Sequence, residues 1–453
     1  MEKPVIEVGI LSSESIRFKL NGKFFYTAGK ETEGEGKVIA DGNSSFSLVT
    51  DSFQRQFDNP ILLEPQNEEE CNFELYNVVI GVKFHWEREE NQRFKGKLKL
   101  FAENGLVTAV NILPLEDYLL SVISSEMNAT SSLEFLKAHA VISRSWLLAQ
   151  IEKGKKLRDK GKYESLIRND EGYIRWYDRE DHDSFDVCAD DHCQRYQGIT
   201  KVSAPQVYEA LKITSGEVLM YDGAICDARF YKCCGGITEK FENVWEPVNH
   251  PYLTKVIDND FTCHPSPVTQ YDTDLTNEGN VRAWILGNPP AYCNTHDRET
   301  LSKVLNDYDQ ETQSFYRWEV SLTQQKIKSL LLQKAGIDVG NVIDLLPVER
   351  GVSGRLIRLK IVGDKKTIII GKELEIRKAL SESHLYSSAF IVEKVFSTDE
   401  NTNVPDAFIL KGAGWGHGVG LCQIGAAIMG VKGFSYREIL AHYFPAAILK
   451  KIY

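Results

Sequence analysis

Long hydrophobic runs are missing from this 453-residue chain. No apolar stretch comes near the roughly 18 to 20 residues that a membrane-spanning helix needs, so no membrane span is expected. Basic residues are outnumbered by acidic ones. Lys and Arg number 53 against 64 Asp and Glu, and the resulting net charge of −11 repels phosphate backbones, so with no local basic patch in view a nucleic-acid partner is not expected. No segment repeats at a fixed period and none is of low complexity, which leaves solenoid architectures unsupported. Met1-Glu2-Lys3-Pro4 does not begin a secretory signal peptide, so the expectation is either a cytosolic chain or one whose leader has been removed. What is present, 42% hydrophobic and 26% charged residues, describes a folded, soluble chain of two or three domains.

Nine cysteines make an odd number in a chain too large to depend on disulfide staples, which favours thiols and metal ligands over a disulfide framework. Cys188 and Cys193 lie close together, Cys226, Cys233 and Cys234 form a second group, and Cys71, Cys263, Cys293 and Cys422 are scattered. The first pair lies among histidines, His182 and His192.

From Val5 to about Leu113 short alternating runs broken by glycine and asparagine predict antiparallel sheet, with Asn104-Gly105 as a two-residue hairpin turn. After Leu113 the period becomes 3.6. Leu115, Tyr118, Leu119, Val122 and Ile123 fall on one helical face behind Pro114 at the first helical position, and Glu126 lies about 20° from Leu115 on that same stripe. A second helix is expected from near Ser131, with Glu134 completing a capping box and Arg144 about 20° from Leu133 on the inward face. Residues 152 to 181 carry so much charge that they read as an insertion or a solvated surface segment. A polar, turn-rich connector follows at 265 to 309. From Tyr316 the pattern is an RWEVSLT strand, a helix around QQKIKSLLLQKAG and three further strands, a compact α+β unit; the carboxyl terminus is glycine-rich and ends in a helix capped by Ser435 with Glu438.

A carboxylate on a buried stripe costs several kcal/mol unless it is paired, hydrogen-bonded or protonated, roughly the transfer cost of an unsatisfied polar group. Two readings of Glu126 follow. Burial raises a carboxyl pKa, and a Glu moved up toward about 6 donates a proton at neutral pH, as the acid of glycosidic cleavage does. Alternatively Arg144 and Glu126 form an internal ion pair that joins the two helices and lowers that pKa.

HDSFDVCADDHCQRY places His182, Cys188, His192 and Cys193 within twelve residues, four donors that suffice for a tetrahedral zinc site. The spacing is not that of a zinc finger, and His192 directly beside Cys193 leaves three ligands plus water or a distant residue as an alternative, beside a paired disulfide or an unliganded loop. An open position on such a zinc would activate water and make the chain a zinc-dependent hydrolase. Gly235-Gly236 after the paired cysteines permits a left-handed turn or the close approach of a ligand. In GWGHGVG the glycines 414, 416, 418 and 420 surround His417, either as an active-site histidine or as a glycine-rich turn with one satisfied imidazole. The phosphate-loop lysine-serine ending is absent, so nucleotide binding is unsupported.

In order, the segments ILPLEDYLLSVISSEM, LEFLKAHAVISRSWLL, DVCADDHCQRYQG, CCGGITEKFENVW, RGVSGRLIRLKIVG and GWGHGVGLCQIGAAIMG with YREILAHYFP resemble the stage II sporulation protein D and LytB amidase-enhancer family of bacterial cell-wall proteins. The resemblance runs from about Val5 to the end, outside the charged insertion and parts of 265 to 315. It implies a lytic transglycosylase acting on peptidoglycan glycan strands, with the glutamate of the SSEM-like motif, here Glu126, as catalytic residue. One carboxyl protonates the leaving oxygen and then accepts the proton of the sugar's own 6-hydroxyl, leaving a 1,6-anhydro-N-acetylmuramic acid end without added water. By the same resemblance Arg144, Gln194, Tyr196, Gly235, Gly236, Thr238, His417 and Gln423 are candidates to line the glycan cleft. His182, Cys188, His192 and Cys193 become candidates for a structural zinc. The family pattern is broken at Asn128, Cys234 and Cys422, where it commonly has proline, a small hydroxyl residue and serine.

The expected fold class is α+β. The expected divisions are a β-rich amino-terminal region over 1–113, a helical catalytic and zinc segment over 114–262, a connector over 263–315, a small α+β domain over 316–400, and a glycine-rich segment with a terminal helix over 401–453. The expected function is a peptidoglycan lytic transglycosylase that requires no organic cofactor. The alternatives are a non-catalytic cell-wall-binding partner that stimulates an amidase and, further off, the zinc hydrolase. That substrate class implies the cell envelope, in tension with the missing export signal.

Overall fold

The structure is a computed structural model that describes residues 3–26, 29–51, 53–81, 87–160, 165–169, 171–176, 182–190, 192–201, 204–259, 273–305, 314–396 and 403–453, with backbone alone over 156–160. Cys263, part of the expected connector (263–272 and 306–313) and parts of the charged segment lie outside the described residues; the described part of that connector is not simply turns but carries the helices Glu278–Leu286 and Arg298–Val304. The fold is mixed α+β with a β-rich amino-terminal part, as the periodicities require. Among the described residues no helix is long and apolar enough to cross a membrane.

The chain forms two compact units. The first comprises 1–147, 180–217 and 451–453; the second comprises 148–179 and 218–450. The expected 114–262 segment is thus shared between both, and 316–400 is part of a larger second unit.

Unit one is built on ten amino-terminal strands, β1 (Val5–Ser13), β2 (Ser15–Tyr26), β3 (Lys30–Ala40), β4 (Phe46–Thr50), β5 (Gln54–Phe57), β6 (Ile61–Pro65), β7 (Asn72–Ile80), β8 (Arg88–Phe94), β9 (Lys97–Glu103) and β10 (Leu106–Pro114). Their order in the sheet is β1, β10, β9, β6, β2, β3, β4, β5, with β7 paired to β2 and β8 to β7. The Asn104-Gly105 turn joins β9 to β10 with both residues at positive φ (55° and 79°), the geometry that a two-residue hairpin turn demands. Along β9, Leu98 and Leu100 are fully buried while Lys97 and Lys99 beside them are only half-buried, so strand alternation decides which face meets the core.

Helix α1 (Leu115–Glu126) buries the apolar residues of its expected stripe, and Ser121, Ser124 and Ser125 besides, while Glu126 at its end is only half-buried. Pro114 stands one position earlier than expected, as the extended residue that precedes the first helical one. Helix α2 (Leu133–Lys160) begins with the Phe135 N–H on Ser132 Oγ (3.4 Å) and runs through the first part of the expected charged insertion. Helix α3 (Pro205–Ile213) packs against α1 within unit one.

The charged segment corrects the sequence reading a second time. Leu166–Arg168 and Gly172–Arg175 are strands, and the latter pairs in parallel with Thr367–Gly371, extending a five-stranded sheet that includes Leu356–Gly363 and Val342–Arg350. Tyr173 packs on the apolar core of that sheet, around Leu356, Leu359, Ile361 and Ile370. The charges that flank Tyr173 hide this inward contact in the sequence. In the same unit Arg317–Thr323, Ala407–Ala413 and Phe390–Val395 form a three-stranded sheet, and Phe230–Tyr231 pairs in parallel with Leu421–Cys422. The terminal helix Tyr436–Tyr443 carries the expected capping box of Ser435 and Glu438 and buries Ile439, Leu440 and Tyr443.

Candidate active site and metal cluster

Glu126 is the last residue of α1 and is half-buried. Its Oε1 accepts a hydrogen bond from the Arg195 backbone N–H at 2.9 Å, and Gln197 N–H donates to Ser121 Oγ at 3.0 Å one turn earlier on the same helix. The segment 195–197 therefore anchors the carboxyl-terminal half of α1. An N–H aimed at a carboxyl oxygen fixes the plane of the group and so decides where it can present a proton.

The stretch that leads into Arg195 is itself fastened to the sheet. Val187–Cys188 lies parallel to β1, opposite Val8 and Gly9; Asp186 N–H reaches Glu7 O and Ala189 N–H reaches Gly9 O. A side chain at Gly9 would lie only 2.5 Å from the Phe185 ring, so glycine there lets Phe185 lie across the strand. Tyr196 N–H returns to Ala189 O, closing the loop.

Within that loop the four expected donors converge. His182 Nε2 lies 3.4 Å from Cys193 Sγ, and His192 Nδ1 lies 3.5 Å from Cys193 Sγ and 4.0 Å from Cys188 Sγ. All four ligand atoms fall within 4.8 Å of one another. Bonds of about 2.3 Å to sulfur and about 2.0 Å to nitrogen give tetrahedral edges of about 3.3 to 3.8 Å, so the donor set fits one small tetrahedral ion. Although adjacent in the chain, His192 and Cys193 both turn their ligand atoms toward the other two donors. Hydrogen bonding from Cys193, then from the two imidazoles, outweighs burial and pulls the Cys188 thiol down to about 2, toward the thiolate that metals bind.

Arg144 does not pair with Glu126, contrary to one sequence expectation. Its guanidinium grips Glu116 with two bonds, Nε to Oε1 at 3.0 Å and Nη2 to Oε2 at 2.8 Å, and Nη1 donates to Glu217 O at 3.0 Å. Tyr453 Oη adds a bond to Glu116 Oε1 at 2.7 Å. The Arg144 side chain is 0% exposed. The partner was missed because Glu116 sits in the first turn of α1, where an acidic residue has an ordinary explanation in the helix dipole.

Gln194 and Tyr196 are likewise interior. Gln194 accepts from Tyr118 Oη (3.1 Å) and donates to Ser143 O (3.3 Å), while Tyr196 stacks on Tyr118 at 5.0 Å between ring centres and donates to Asn111 Oδ1 (2.6 Å). In this conformation Arg144, Gln194 and Tyr196 support the fold behind Glu126 and do not form a surface for a glycan. Tyr118, buried between Gln194 and Tyr196, is the supporting residue that periodicity reduced to one more apolar position.

The remaining candidates belong to unit two. Gly235 and Gly236 are buried at positive φ (75° and 113°), where added side chains would meet Gly414 and Trp284. Thr238 is also buried, its hydroxyl donating to Thr254 O and accepting from Val256 N–H, both at 2.7 Å. Gln423 is buried at the start of helix Gln423–Val431. His417 accepts from Val419 N–H at Nδ1 (3.1 Å), faces Phe230 O with Nε2 (3.1 Å), and packs edge-on against Trp245. Burial first, then Arg229, pushes its pKa well below the ordinary value and keeps it neutral. The surrounding glycines serve the backbone: a side chain at Gly418 would lie 2.6 Å from the Arg355 guanidinium.

The comparisons agree with the order of these segments. Residues 103–221 match the Stage II sporulation protein family, and residues 239–420 match a domain of unknown function, DUF8618. An uncharacterized protein of Brachyspira hyodysenteriae is 25% identical over 351 residues, covering 78% of this chain and 70% of its own length. Stage II sporulation protein D of Bacillus amyloliquefaciens is 24% identical over 345 residues, 74% of each chain. The amidase enhancer of Bacillus subtilis is 23% identical over 246 residues, 53% of this chain and 32% of the enhancer.

Proposed function

Because the chain belongs to the family of stage II sporulation protein D and the LytB amidase enhancer, we propose that it is a peptidoglycan lytic transglycosylase with Glu126 as its single general acid and base. The observation that carries this reading is the seating of Glu126. It is half-buried at the end of α1, and its carboxyl is oriented by a backbone N–H two residues beyond Cys193. In the proposed reaction Glu126 gives a proton to the glycosidic oxygen between N-acetylmuramic acid and N-acetylglucosamine. It then takes the proton of the muramic 6-hydroxyl as that oxygen bonds to C1, and the product ends in a 1,6-anhydro ring. No water enters and no second carboxylate is required.

His182, Cys188, His192 and Cys193 would hold zinc, which when bound supplies structural bracing by four closed ligands, and no catalytic step is assigned to it. The protein's own contribution is the loop that it stiffens: 186–196 fixes Arg195, and Arg195 fixes Glu126.

Incubation of the full chain with peptidoglycan and with glycan strands stripped of stem peptides, followed by mass spectrometry of the fragments, tests the proposal. Anhydro ends produced by the parent and lost in Glu126→Gln support it. Water-added ends that vanish on chelation and persist in Glu126→Gln indicate the zinc hydrolase instead. The match to an amidase enhancer favours one other reading, a non-catalytic wall-binding stimulator of an amidase. Unchanged strands, with an added amidase accelerated, would select it.

A further inference from the structure

Unit two contains a second convergence of soft ligands, formed by cysteines that the sequence left apart. Cys234, Asp258, Cys293 and Cys422 are all buried, and their ligand atoms lie within 4.8 Å of one another. They come from four places in the chain: the turn after Phe230–Tyr231, the stretch after the Ile237 to Ile257 bridge, the loop after helix Glu278–Leu286, and the strand Leu421–Cys422, parallel neighbour of the first. The Cys234 and Cys293 sulfurs are 3.3 Å apart. Backbone N–H groups point at two of the sulfurs, Cys234 N–H at Cys422 Sγ (3.2 Å), Gly236 N–H at Cys234 Sγ (3.3 Å) and Gly425 N–H at Cys422 Sγ (3.4 Å). Backbone N–H groups aimed at sulfur are the outer contacts that hold a ligand in place around a metal ion.

Buried thiols by themselves behave as small hydrophobes and require no explanation. Asp258 does. It is 0% exposed, and among the described residues no Lys or Arg pairs with it; its contacts are Cys293 N–H on Oδ2 (2.9 Å) and Tyr443 Oη on Oδ1 (2.5 Å). Helix Gln423–Val431 makes room for it: a side chain at Gly425 would lie 2.5 Å from Asp258 Oδ1 and strike the Tyr443 hydroxyl. A carboxylate sealed among three sulfurs with no cation is costly, and a divalent ion removes that cost. A Cys234 to Cys293 disulfide would leave Asp258 and Cys422 as they are. Three sulfurs and one oxygen select a soft divalent ion over calcium or magnesium, and four donors this close suit one ion, since an iron–sulfur cluster interposes its own sulfides between the thiolates.

We propose that Cys234, Asp258, Cys293 and Cys422 form a second, structural metal site that takes one zinc ion and ties four separate segments of unit two together. Closed four-ligand sets of this kind fold a protein and leave no open position for chemistry.

The test is zinc content per chain, by mass spectrometry of elements, on full-length protein from zinc-supplemented cells. The Cys188→Ser/Cys193→Ser protein is expected to retain one zinc with an X-ray absorption edge fitting three sulfurs and one oxygen, and adding Cys293→Ser or Cys422→Ser is expected to remove it. That result stands whether or not the 182–193 loop binds zinc. A Cys188→Ser/Cys193→Ser protein that folds without zinc overturns the proposal, as does an intact mass two hydrogens short from a Cys234 to Cys293 disulfide. Should that variant not fold, the parent decides: two zinc ions per chain with sulfur outnumbering nitrogen support the site, and a single zinc with equal sulfur and nitrogen refutes it.

Discussion

Arg144→Leu is the substitution that most sharply tests how unit one is held together. The change deletes two charge-assisted bonds to Glu116, at 3.0 and 2.8 Å, and a third to Glu217 O, while leaving the Glu116 carboxylate with only Tyr453 Oη and a longer contact from Gly216 N–H. Glu116 is 15% exposed along its side chain, so water compensates little. Breaking a buried pair in this way costs about 3 to 5 kcal/mol. At about 2 to 4 °C per kcal/mol for a unit of this size, the melting temperature should fall by roughly 10 °C. Hydrogen exchange read on peptides covering 115–126 and 133–147 reports the loss in this unit alone. In a double-mutant cycle the coupling of Arg144→Leu with Glu116→Gln should reach about 2 kcal/mol, and the coupling with Glu126→Gln should lie near zero. A larger coupling to Glu126 than to Glu116 would refute the pairing described above and restore the ion pair that helix periodicity alone allows.

Glu126→Gln should lower anhydro-product formation by about a hundredfold or more, the usual worth of a general acid, while leaving the unfolding transition within a few tenths of a kcal/mol of the parent. Cys188→Ser should loosen the loop that carries Arg195, seen as faster exchange at 186–197 together with a fall in activity that added zinc does not restore. Gly418→Ala should destabilise unit two by about 1 to 3 kcal/mol in chemical denaturation, because φ is +89° there and the new methyl meets the Arg355 guanidinium. His384, whose pKa burial and then Arg377 push down to about 3, takes up its proton more readily in the unfolded chain. Its contribution is therefore complete above about pH 6.5 and declines as the pH falls below that value, by up to about 2 kcal/mol at pH 5. His384→Gln should flatten the acid limb of a stability–pH curve, and an unchanged limb would refute the assignment.

Period and turn chemistry made much of the architecture legible. The alternation from Val5 to Leu113, the Asn104-Gly105 turn, the stripe of α1 and the capping box at Ser435 are all local, because each is set by residues within a few positions of one another. The segment 165–175 was not legible. Its strand Gly172–Arg175 is specified by pairing with Thr367–Gly371 nearly two hundred residues away, and a charged composition gives no sign of such a partner. The same limit applied to the site. Helical geometry correctly put Arg144 on an inward face but could not choose between Glu116 and Glu126, which lie on the same helix ten residues apart.

The sequence by itself determined the α+β class, the ordered motifs of the family, and the four donors between His182 and Cys193, since density within twelve residues needs no folding to be seen. Only the tertiary structure decided that Arg195 N–H seats Glu126, that Arg144 belongs to Glu116, and that Cys234, Asp258, Cys293 and Cys422 meet. Those contacts join residues 24 to 188 positions apart, as the chain counts them, and a pattern with a period of two or 3.6 carries no information at such separations.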